Sequence, residues 1–353
     1  MEGRFAAKPG LAALLAICLA LAAGCGRSSG PRMRRGMYFG SLTGIRFLEH
    51  DRLGKHQCSK RRGEKNGLVY TSRGGFLDIG HVREAADRTA YIAGVVHENL
   101  DKNETDFSFE VIEPARYFVT IRFPECWDRV GEDRREEIIT DISIRLGQYL
   151  GHTTLIWHEM VTWFGYTSTM FFSEHISAFS CEDPYSDLLG TRLATFALRD
   201  TERSFEDAMT KVLDEELERL GVRPAAVARR AVRKTKGKWY KGGSYFFARV
   251  IKRNFDTGAD DGFITPWLVP LMDPNSQPEP CPAPNLDFLA DYGFSMKLQI
   301  EPKEWQKNEI LATTGKHNPA NRITPAIHFP LIMEHIKKEA VEKYGPDVDV
   351  PTL

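Results

Sequence analysis

The sequence lacks an excess of charge of either sign. Its 353 residues include 47 lysines and arginines and 48 aspartates and glutamates, which gives a formal net charge of −1. Proteins that bind nucleic acid take much of their affinity from basic side chains on the phosphates, so this balance does not indicate a nucleic-acid partner. The chain also shows no internal repeat. A hydrophobic content of 42% with 11% aromatic residues predicts a folded globular protein.

The N-terminus has no apolar run long enough to stay in a membrane. Arg4 and Lys8 precede the run Leu11–Ala23, whose 13 residues fall short of the roughly 20 that a helical span needs. A basic start, a short apolar stretch and a small-residue end are typical of a secretory signal peptide, here residues 1–24. The next residue is Cys25, which matches the lipid-attachment site of a bacterial lipoprotein.

One position departs from the usual lipoprotein pattern. Leucine is common three positions before the cysteine, whereas this chain has Ala22 there and Leu21 one residue earlier. The alternative is therefore an ordinary secretory signal that releases a soluble protein. Lipoproteins kept in the inner membrane of Gram-negative bacteria often have aspartate after the cysteine, so the resemblance, with Gly26 at that place, implies the outer membrane. Residues 25–36 have the Gly, Ser, Pro and Arg composition of a flexible tether. We expect a periplasm-facing protein held to the membrane through Cys25.

Cysteine is scarce, and its spacing fits no zinc knuckle. Two of the six cysteines, Cys18 and Cys25, belong to the signal and the lipid site. The remaining four are Cys58, Cys126, Cys181 and Cys281. In an oxidising compartment this even number allows two disulfides in three connectivities. We expect disulfides or inert buried thiols more than a reactive cysteine.

The hydrophobic pattern predicts an α+β fold in which helices dominate, with a small antiparallel sheet. We expect one large domain over residues 37–345 and a tail over 346–353. The predicted strands are 68–71, a hairpin within 106–124, and 296–300. The predicted helices are 79–100 behind an Asp78 N-cap, 134–165, 186–199, 204–220, 224–236 and 330–344.

The first candidate site is His158-Glu159 in the apolar second half of the long helix. Metalloproteases place a second zinc-binding histidine four residues after the first, but Thr162 stands there, and threonine is a poor zinc ligand. A buried histidine and carboxylate still need hydrogen bonds, a counter-charge or a metal. The alternative is a satisfied core network of purely structural value.

The second candidate follows the glycines at 74–75. Asp78 and His81 are three residues apart at a predicted helix start, so both face the same way and can act as ligands or as a base oriented by a carboxylate. The structural alternative is an N-cap aspartate with a histidine in the first turn.

The third candidate is the polar segment 172–184. It can deliver Glu174, His175, Ser180 and Glu182 to the same pocket. Cys181 in this segment also suggests the hypothesis of a thiol hydrolase, although a disulfide is the stronger expectation for a periplasmic cysteine.

Several strings in the chain resemble one family of bacterial lipoproteins. They are Tyr70–Arg83, Trp157–Glu159 with Thr162–Tyr166, Ser177–Ser180 with Glu182-Asp183, Asn254–Asp256 and Thr265–Val269. The family is known as domain of unknown function 4056, and the resemblance covers residues 37 to about 345. It implies an envelope location but no activity or substrate.

Three functional hypotheses follow. The first is an envelope hydrolase, with or without a divalent metal such as zinc, whose base is Glu159 and whose metal ligands are His81 and His158 with Glu174 or His175. Asp78 completes its catalytic set. The second is a non-enzymatic lipoprotein that binds a wall, membrane or protein partner. The third is a cysteine hydrolase that uses Cys181.

Overall fold

The computed structural model describes residues 30–34, 45–59, 63–166, 177–242, 249–315 and 321–353. Within these ranges the chain is a helix-rich α+β domain with small antiparallel sheets, which confirms the predicted fold class. The helices are α1 (Ile79–Asp101), α2 (Glu132–Trp163), α3 (Asp183–Arg199), α4 (Phe205–Arg219), α5 (Ala225–Thr235), α6 (Phe288–Asp291), α7 (Lys307–Thr313) and α8 (Pro325–Tyr344). The strands are β1 (Leu68–Thr71), β2 (Gly75–Asp78), β3 (Asp106–Phe109), β4 (Ala115–Arg122), β5 (Val222–Arg223), β6 (Tyr240–Lys241), β7 (Arg249–Val250), β8 (Phe263–Ile264), β9 (Cys281–Pro282) and β10 (Ser295–Pro302).

Helix α1 lies at the centre of the molecule and packs against α2 and α3. Glycines permit this close approach. A Cβ on Gly147 of α2 would lie 2.7 Å from the Cβ of Ala93, and one on Gly190 of α3 would lie 2.2 Å from the carbonyl oxygen of Val82. Neither distance is compatible with a side chain in place. The three helices therefore sit close enough for polar groups on their facing sides to contact one another.

The predicted hairpin is β3 and β4, and β10 joins β4 on its other edge in antiparallel register. Strand β4 alternates as the sequence indicated: its buried side chains are Ala115, Tyr117, Val119 and Ile121. This face packs on the core around α1 and α2. The turn before β4 is thereby held against the helices, which matters for the site because that turn contains Glu113.

Two helix starts differ from the prediction. Helix α3 begins at Asp183 instead of Ser186, because Pro184 is tolerated in the first helical turn. Helix α8 begins at Pro325, and Pro330 lies inside it instead of at its start. In the part of the chain that the structure describes, no helix is both long and apolar enough to cross a membrane.

The sequence left either disulfides or inert buried thiols open for the four mature cysteines, and the structure contains both kinds, since Cys58 is disulfide-bonded. Cys126, Cys181 and Cys281 all carry free thiols. Cys126 is exposed, whereas Cys181 and Cys281 are buried. The two buried residues behave as small apolar side chains in the core, the other outcome that the sequence allowed.

Candidate active site

The first turn of α1 brings His81 into the site. Asp78 caps the helix by accepting a hydrogen bond from the Gly80 amide at 2.7 Å, which is the structural role that its position indicated. His81 follows within the first turn, and a quarter of its side chain is exposed. Its Nδ1 lies 2.7 Å from Oδ1 of Asp183, at the start of α3. The ion pair therefore joins the N-terminal ends of two helices.

His158, near the end of α2, contacts a carboxylate from the turn between β3 and β4. Its Nδ1 lies 2.8 Å from Oε1 of Glu113, and Arg88 of α1 binds both oxygens of the same carboxylate at 2.7 and 2.9 Å. Burial alone would raise the pKa of Glu113, but the charge of Arg88 and the hydrogen bond from His158 lower it to about 2. Glu113 is therefore ionised, and His158 Nδ1 is the donor.

Both histidines carry a positive charge at neutral pH. Burial alone would lower the pKa of His158, but the hydrogen bond and charge of Glu113 outweigh it and raise the pKa to about 9. The pKa of His81 also rises well above its ordinary value, because the charges of Asp183 and Asp78 overcome the effect of burial. Each ring is thus an imidazolium held by a carboxylate.

Glu159 and Asp187 are the carboxyl groups whose ionisation is suppressed. Burial, together with the negative charge of Asp183, raises the pKa of Glu159 to about 7, although His158 and His81 pull it down. Burial also raises the pKa of Asp187 to about 8, helped by Asp183 and Glu159 and opposed by His81. One oxygen of Glu159 accepts a hydrogen bond from the Phe179 amide. Both groups therefore titrate near neutral pH.

Glu159 and Asp187 line the same small pocket. His152 of α2, Phe179 and Asp256 also line it. His152 is neutral, because burial lowers its pKa to about 4. The pocket therefore combines apolar walls with two carboxyl groups that can each hold or release a proton near pH 7.

Cys181 is close to the site but is not an activated nucleophile. Its thiol is buried, and its Sγ lies 3.3 Å from Oε2 of Glu182. Burial and the adjacent Glu182 raise the pKa of Cys181 well above its ordinary value. A thiol attacks as the thiolate, and this environment keeps the proton on the sulfur. The geometry therefore does not favour the cysteine hydrolase.

The charge of Asp78 acts on His81, and the charges of His81 and His158 both act on Glu159, so these four predicted residues share one electrostatic environment. Glu174 and His175 lie outside the described residues. The sequence reasoning missed four charged residues of the same region. They are Arg88, Glu113, Asp183 and Asp187. The spacing of Asp183 and Asp187, four residues apart in an otherwise buried helix, could have indicated the pair. Glu113 gave no such signal, because a charged residue before a proline in a turn is ordinary.

Of the candidate metal ligands, the structure describes His81 and His158. Across the described ranges, His81 and His158 do not belong to any group of three His, Cys, Asp or Glu ligand atoms within 4.8 Å of one another. Two other groups meet that spacing. One is His56, Cys58 and Asp87, but Cys58 is disulfide-bonded and offers no thiolate. The other is the largely exposed set His50, Asp214 and Glu218.

These features define a helix-rich α+β protein with a cluster of ion pairs and titratable carboxyl groups inside its core. The family model described as a protein of unknown function, DUF4056, matches residues 46–266. This is more than half of the chain, so the protein belongs to that family, as the sequence resemblance indicated. The matched stretch is shorter than the expected 37–345. No curated protein and no solved structure matches the chain.

Proposed function

We propose that this protein is a hydrolase of the bacterial cell envelope in which Glu159 is the general base. The observation that carries the proposal is the position of Glu159, a buried carboxyl group that lines a small pocket together with Asp187. Burial raises its pKa to about 7, although the charges of His158 and His81 oppose that rise. A base is most effective when its pKa lies near the working pH. Groups shifted this far by burial and by defined neighbours are concentrated at catalytic sites.

The residues present can carry out both halves of a hydrolysis. Ionised Glu159 takes a proton from water as the oxygen attacks the acyl carbon of a substrate. Glu113 occupies Nδ1 of His158, so the Nε2 hydrogen of that ring is the donor that remains for the developing oxyanion or the leaving group. The proton on Glu159 then passes to the oxygen or nitrogen of the leaving group as its bond to the acyl carbon breaks, so Glu159 is ionised again and the products are an acid and the released alcohol or amine.

A second form of the same proposal includes a divalent metal ion such as zinc. Metal-binding histidines usually hold a carboxylate with one ring nitrogen and bind the ion with the other. His158 and His81 both contact a carboxylate through Nδ1, which fits that arrangement. Such an ion would polarise the scissile carbonyl. The acid–base form needs only side chains of the protein itself, and we place it first.

The location is part of the proposal. The order of basic residues, apolar run and Cys25 supports a lipoprotein that faces the periplasm, with Gly26 favouring the outer membrane. Wall polymers and lipids are then the substrates within reach. Mass spectrometry of the N-terminal peptide from isolated membranes tests the attachment. An acylated Cys25 is expected, and an unmodified peptide in the soluble fraction would contradict it.

The hydrolase is tested with Glu159→Gln, which removes the base and preserves shape. Wild type and variant are incubated with cell-wall sacculi, phosphatidylethanolamine vesicles and p-nitrophenyl esters, and products are followed by chromatography with mass detection. General-base catalysis predicts a loss of about 100-fold or more in rate. Glu136→Gln is the matched control, because Glu136 lies on the same helix and pairs with His97 at its edge.

The same assay distinguishes the metal-dependent form of the hydrolase from the acid–base form. A chelator that abolishes turnover, restored by zinc, identifies the metal-dependent form, and turnover that survives the chelator identifies the acid–base form. Equal rates for Glu159→Gln and Glu136→Gln would contradict the assignment of the base. Absence of any product from all three substrate types would count against these substrate classes.

A charged groove away from Glu159 favours a second candidate, binding without catalysis. Its wall includes His50, Lys55, Asp207, Lys211 and Asp214, contributed by the segment before β1 and by α4. A non-enzymatic lipoprotein would use such a groove for a wall or protein partner. Co-sedimentation with sacculi tests it. Loss of binding in Lys211→Glu, with retention in Glu159→Gln, would favour this role over the hydrolase.

A further inference from the structure

Arg34 lies in the segment whose composition indicated a flexible tether, yet its side chain is completely buried. The guanidinium binds Oε1 of Glu64 at 2.9 Å and Oδ2 of Asp87 at 2.5 Å. It also donates to the carbonyl oxygen of Gln57 at 2.9 Å. A buried arginine with this many partners fixes its own backbone, so residues 30–34 are anchored to the domain at this point.

The anchored backbone begins a series of ionic contacts that ends at the candidate site. The Arg34 amide donates to Oε2 of Glu84 at 2.5 Å. The other oxygen of Glu84 accepts from Arg88 at 2.9 Å, Arg88 binds both oxygens of Glu113, and Glu113 accepts from His158 at 2.8 Å. We call Glu84, Arg88 and Glu113 the ion-pair chain.

Every member of the ion-pair chain is held from two sides. Arg88 is fully buried, and its planar guanidinium is fixed by Glu84 on one side and by the two oxygens of Glu113 on the other. If Glu84 loses the Arg34 amide, its carboxylate can rotate, and the guanidinium keeps a single anchor. Networks of this kind respond as a unit, because each pair sets the orientation of the next.

We propose that Arg34 is a positioning residue: by docking residues 30–34 it holds the ion-pair chain, and the ion-pair chain fixes the ring of His158. The inference rests on the proposed function only in its claim that His158 serves catalysis. The structural link itself is independent of any substrate.

The link also joins the site to the point of attachment. Cys25 precedes Arg34 by nine residues. An extended chain reaches about 3.3–3.6 Å per residue, so Arg34 would lie within about 30 Å of a lipid on Cys25. Any pull between membrane and domain would therefore act on the docked residues 30–34, and from Arg34 through the ion-pair chain on His158.

The test follows the Nδ1 proton of His158 by NMR in the full mature chain. Arg34→Met removes the buried guanidinium, and the expected result is exchange of this proton with water at least about ten-fold faster than in wild type. Arg32→Met is the matched control. Arg32 lies two residues before Arg34 and contacts Gln57 and Glu64. It makes none of the contacts that connect Arg34 to Glu84 and the ion-pair chain.

Two further variants keep the test decisive if Arg34→Met unfolds. Arg34→Lys retains the charge but not the planar fork, and Glu84→Gln breaks the chain while Arg34 stays docked. Each variant is expected to speed the exchange of the His158 Nδ1 proton. The double variant Arg34→Lys/Glu84→Gln should exchange little faster than either single variant, because substitutions within one contact network do not have additive effects. The amide proton of Ile300, bonded to the Ile323 carbonyl oxygen at 2.7 Å between two fully buried residues, reports global opening.

The outcomes separate this inference from the proposed function. The positioning role is overturned if the exchange in Arg34→Met and Arg34→Lys equals that in Arg32→Met, or if it rises only as much as the exchange of the Ile300 amide. If the Arg34 variants speed the exchange of the His158 proton selectively, but Glu159→Gln does not change the rate of hydrolysis, the positioning role of Arg34 is supported and the proposed hydrolase is contradicted. If Glu159→Gln loses hydrolytic activity while the Arg34 variants leave the His158 proton protected, the proposed hydrolase is supported and the positioning role of Arg34 is contradicted.

Discussion

His158 donates its Nδ1 hydrogen to Glu113, a carboxylate 45 residues earlier in the chain. Glu113 is only 1% exposed, and it sits in the turn of a hairpin that packs on the helices. The hydrogen bond therefore joins the sheet to α2, and it sets both the charge and the orientation of the imidazole. Removal of the Glu113 charge would leave His158 without its carboxylate and Arg88 with Glu84 as its remaining partner.

Glu113→Gln is predicted to destabilise the fold strongly. Removing one partner of a buried ion pair costs about 3–5 kcal/mol, because the remaining charge stays desolvated. The pKa of His158 should fall at the same time, since Glu113 is what raises it. Urea unfolding measures the first effect and an NMR titration the second.

Glu110→Gln is the control for that change. Glu110 lies in the same hairpin but pairs with Lys303 and Arg116 in solvent. Exposed ion pairs contribute about 0–1 kcal/mol, so the control should lose far less stability. An equal loss in both variants would show that the hairpin is sensitive to any substitution and that Glu113 has no special weight.

The free energy of unfolding is predicted to fall as the pH rises through neutrality. The pKa of His158 is raised to about 9, so its contribution is complete below its unfolded value of 6.5 and is lost as the pH approaches 9. Glu159 and Asp187 have pKa values raised to about 7 and about 8, so each increasingly opposes folding above its ordinary value. Each such proton changes stability by about 1.4 kcal/mol per pH unit.

Glu113 has the opposite effect on the pH dependence of stability, and its effect falls at acidic pH. Its pKa is lowered to about 2, so its contribution is present above 4.5 and is lost as the pH falls through 2. Glu113 stays ionised between about pH 5 and about pH 8, so denaturant unfolding in this range reports on His158, Glu159 and Asp187. Asp187→Asn should flatten the slope, and Asp291→Asn, an exposed aspartate in α6, should leave it unchanged. A flat wild-type profile would contradict the raised values.

Local pattern was enough to predict the main elements. The repeat of apolar residues after the Asp78 cap predicts α1, and the alternation within 106–124 predicts β3 and β4, because both signals depend on neighbours in sequence. The third strand of that sheet, β10, pairs with β4 from about 180 residues further on. No local rule specifies which distant strand joins an edge.

The charged network could not be predicted for the same reason. Arg88 and Glu113 are 25 residues apart, and their contact depends on how the hairpin packs against α1. Arg34 sits in a Gly- and Ser-rich stretch that indicates a linker, and its burial depends on Glu64 and Asp87 being brought together by the fold. Spacing in the sequence carries no trace of such partners.

Gly190→Ala is predicted to lower stability even though alanine favours helices. The new Cβ would lie 2.2 Å from the backbone oxygen of Val82, which cannot move aside as a flexible side chain can. Overpacking of this kind costs about 1–3 kcal/mol, more than the helix preference of alanine returns. Gly131→Ala is the control, since a Cβ there meets nothing within 4 Å. Because Val82 adjoins His81, the ion pair of His81 with Asp183 should also loosen, which an NMR titration of His81 would detect.

Alkylation is predicted to distinguish the free thiols by their surroundings. Iodoacetamide at neutral pH should modify Cys126 in the folded protein, because Cys126 is exposed, and should spare Cys181, whose burial and neighbour Glu182 raise its pKa. Peptide mass spectrometry under non-reducing conditions gives the order of modification, and the same reaction in urea should label both residues. Cys181→Ala should retain hydrolysis of any substrate found for the wild type. Faster labelling of Cys181 than of Cys126 in the native state, together with loss of turnover in Cys181→Ala, would instead make this thiol the nucleophile.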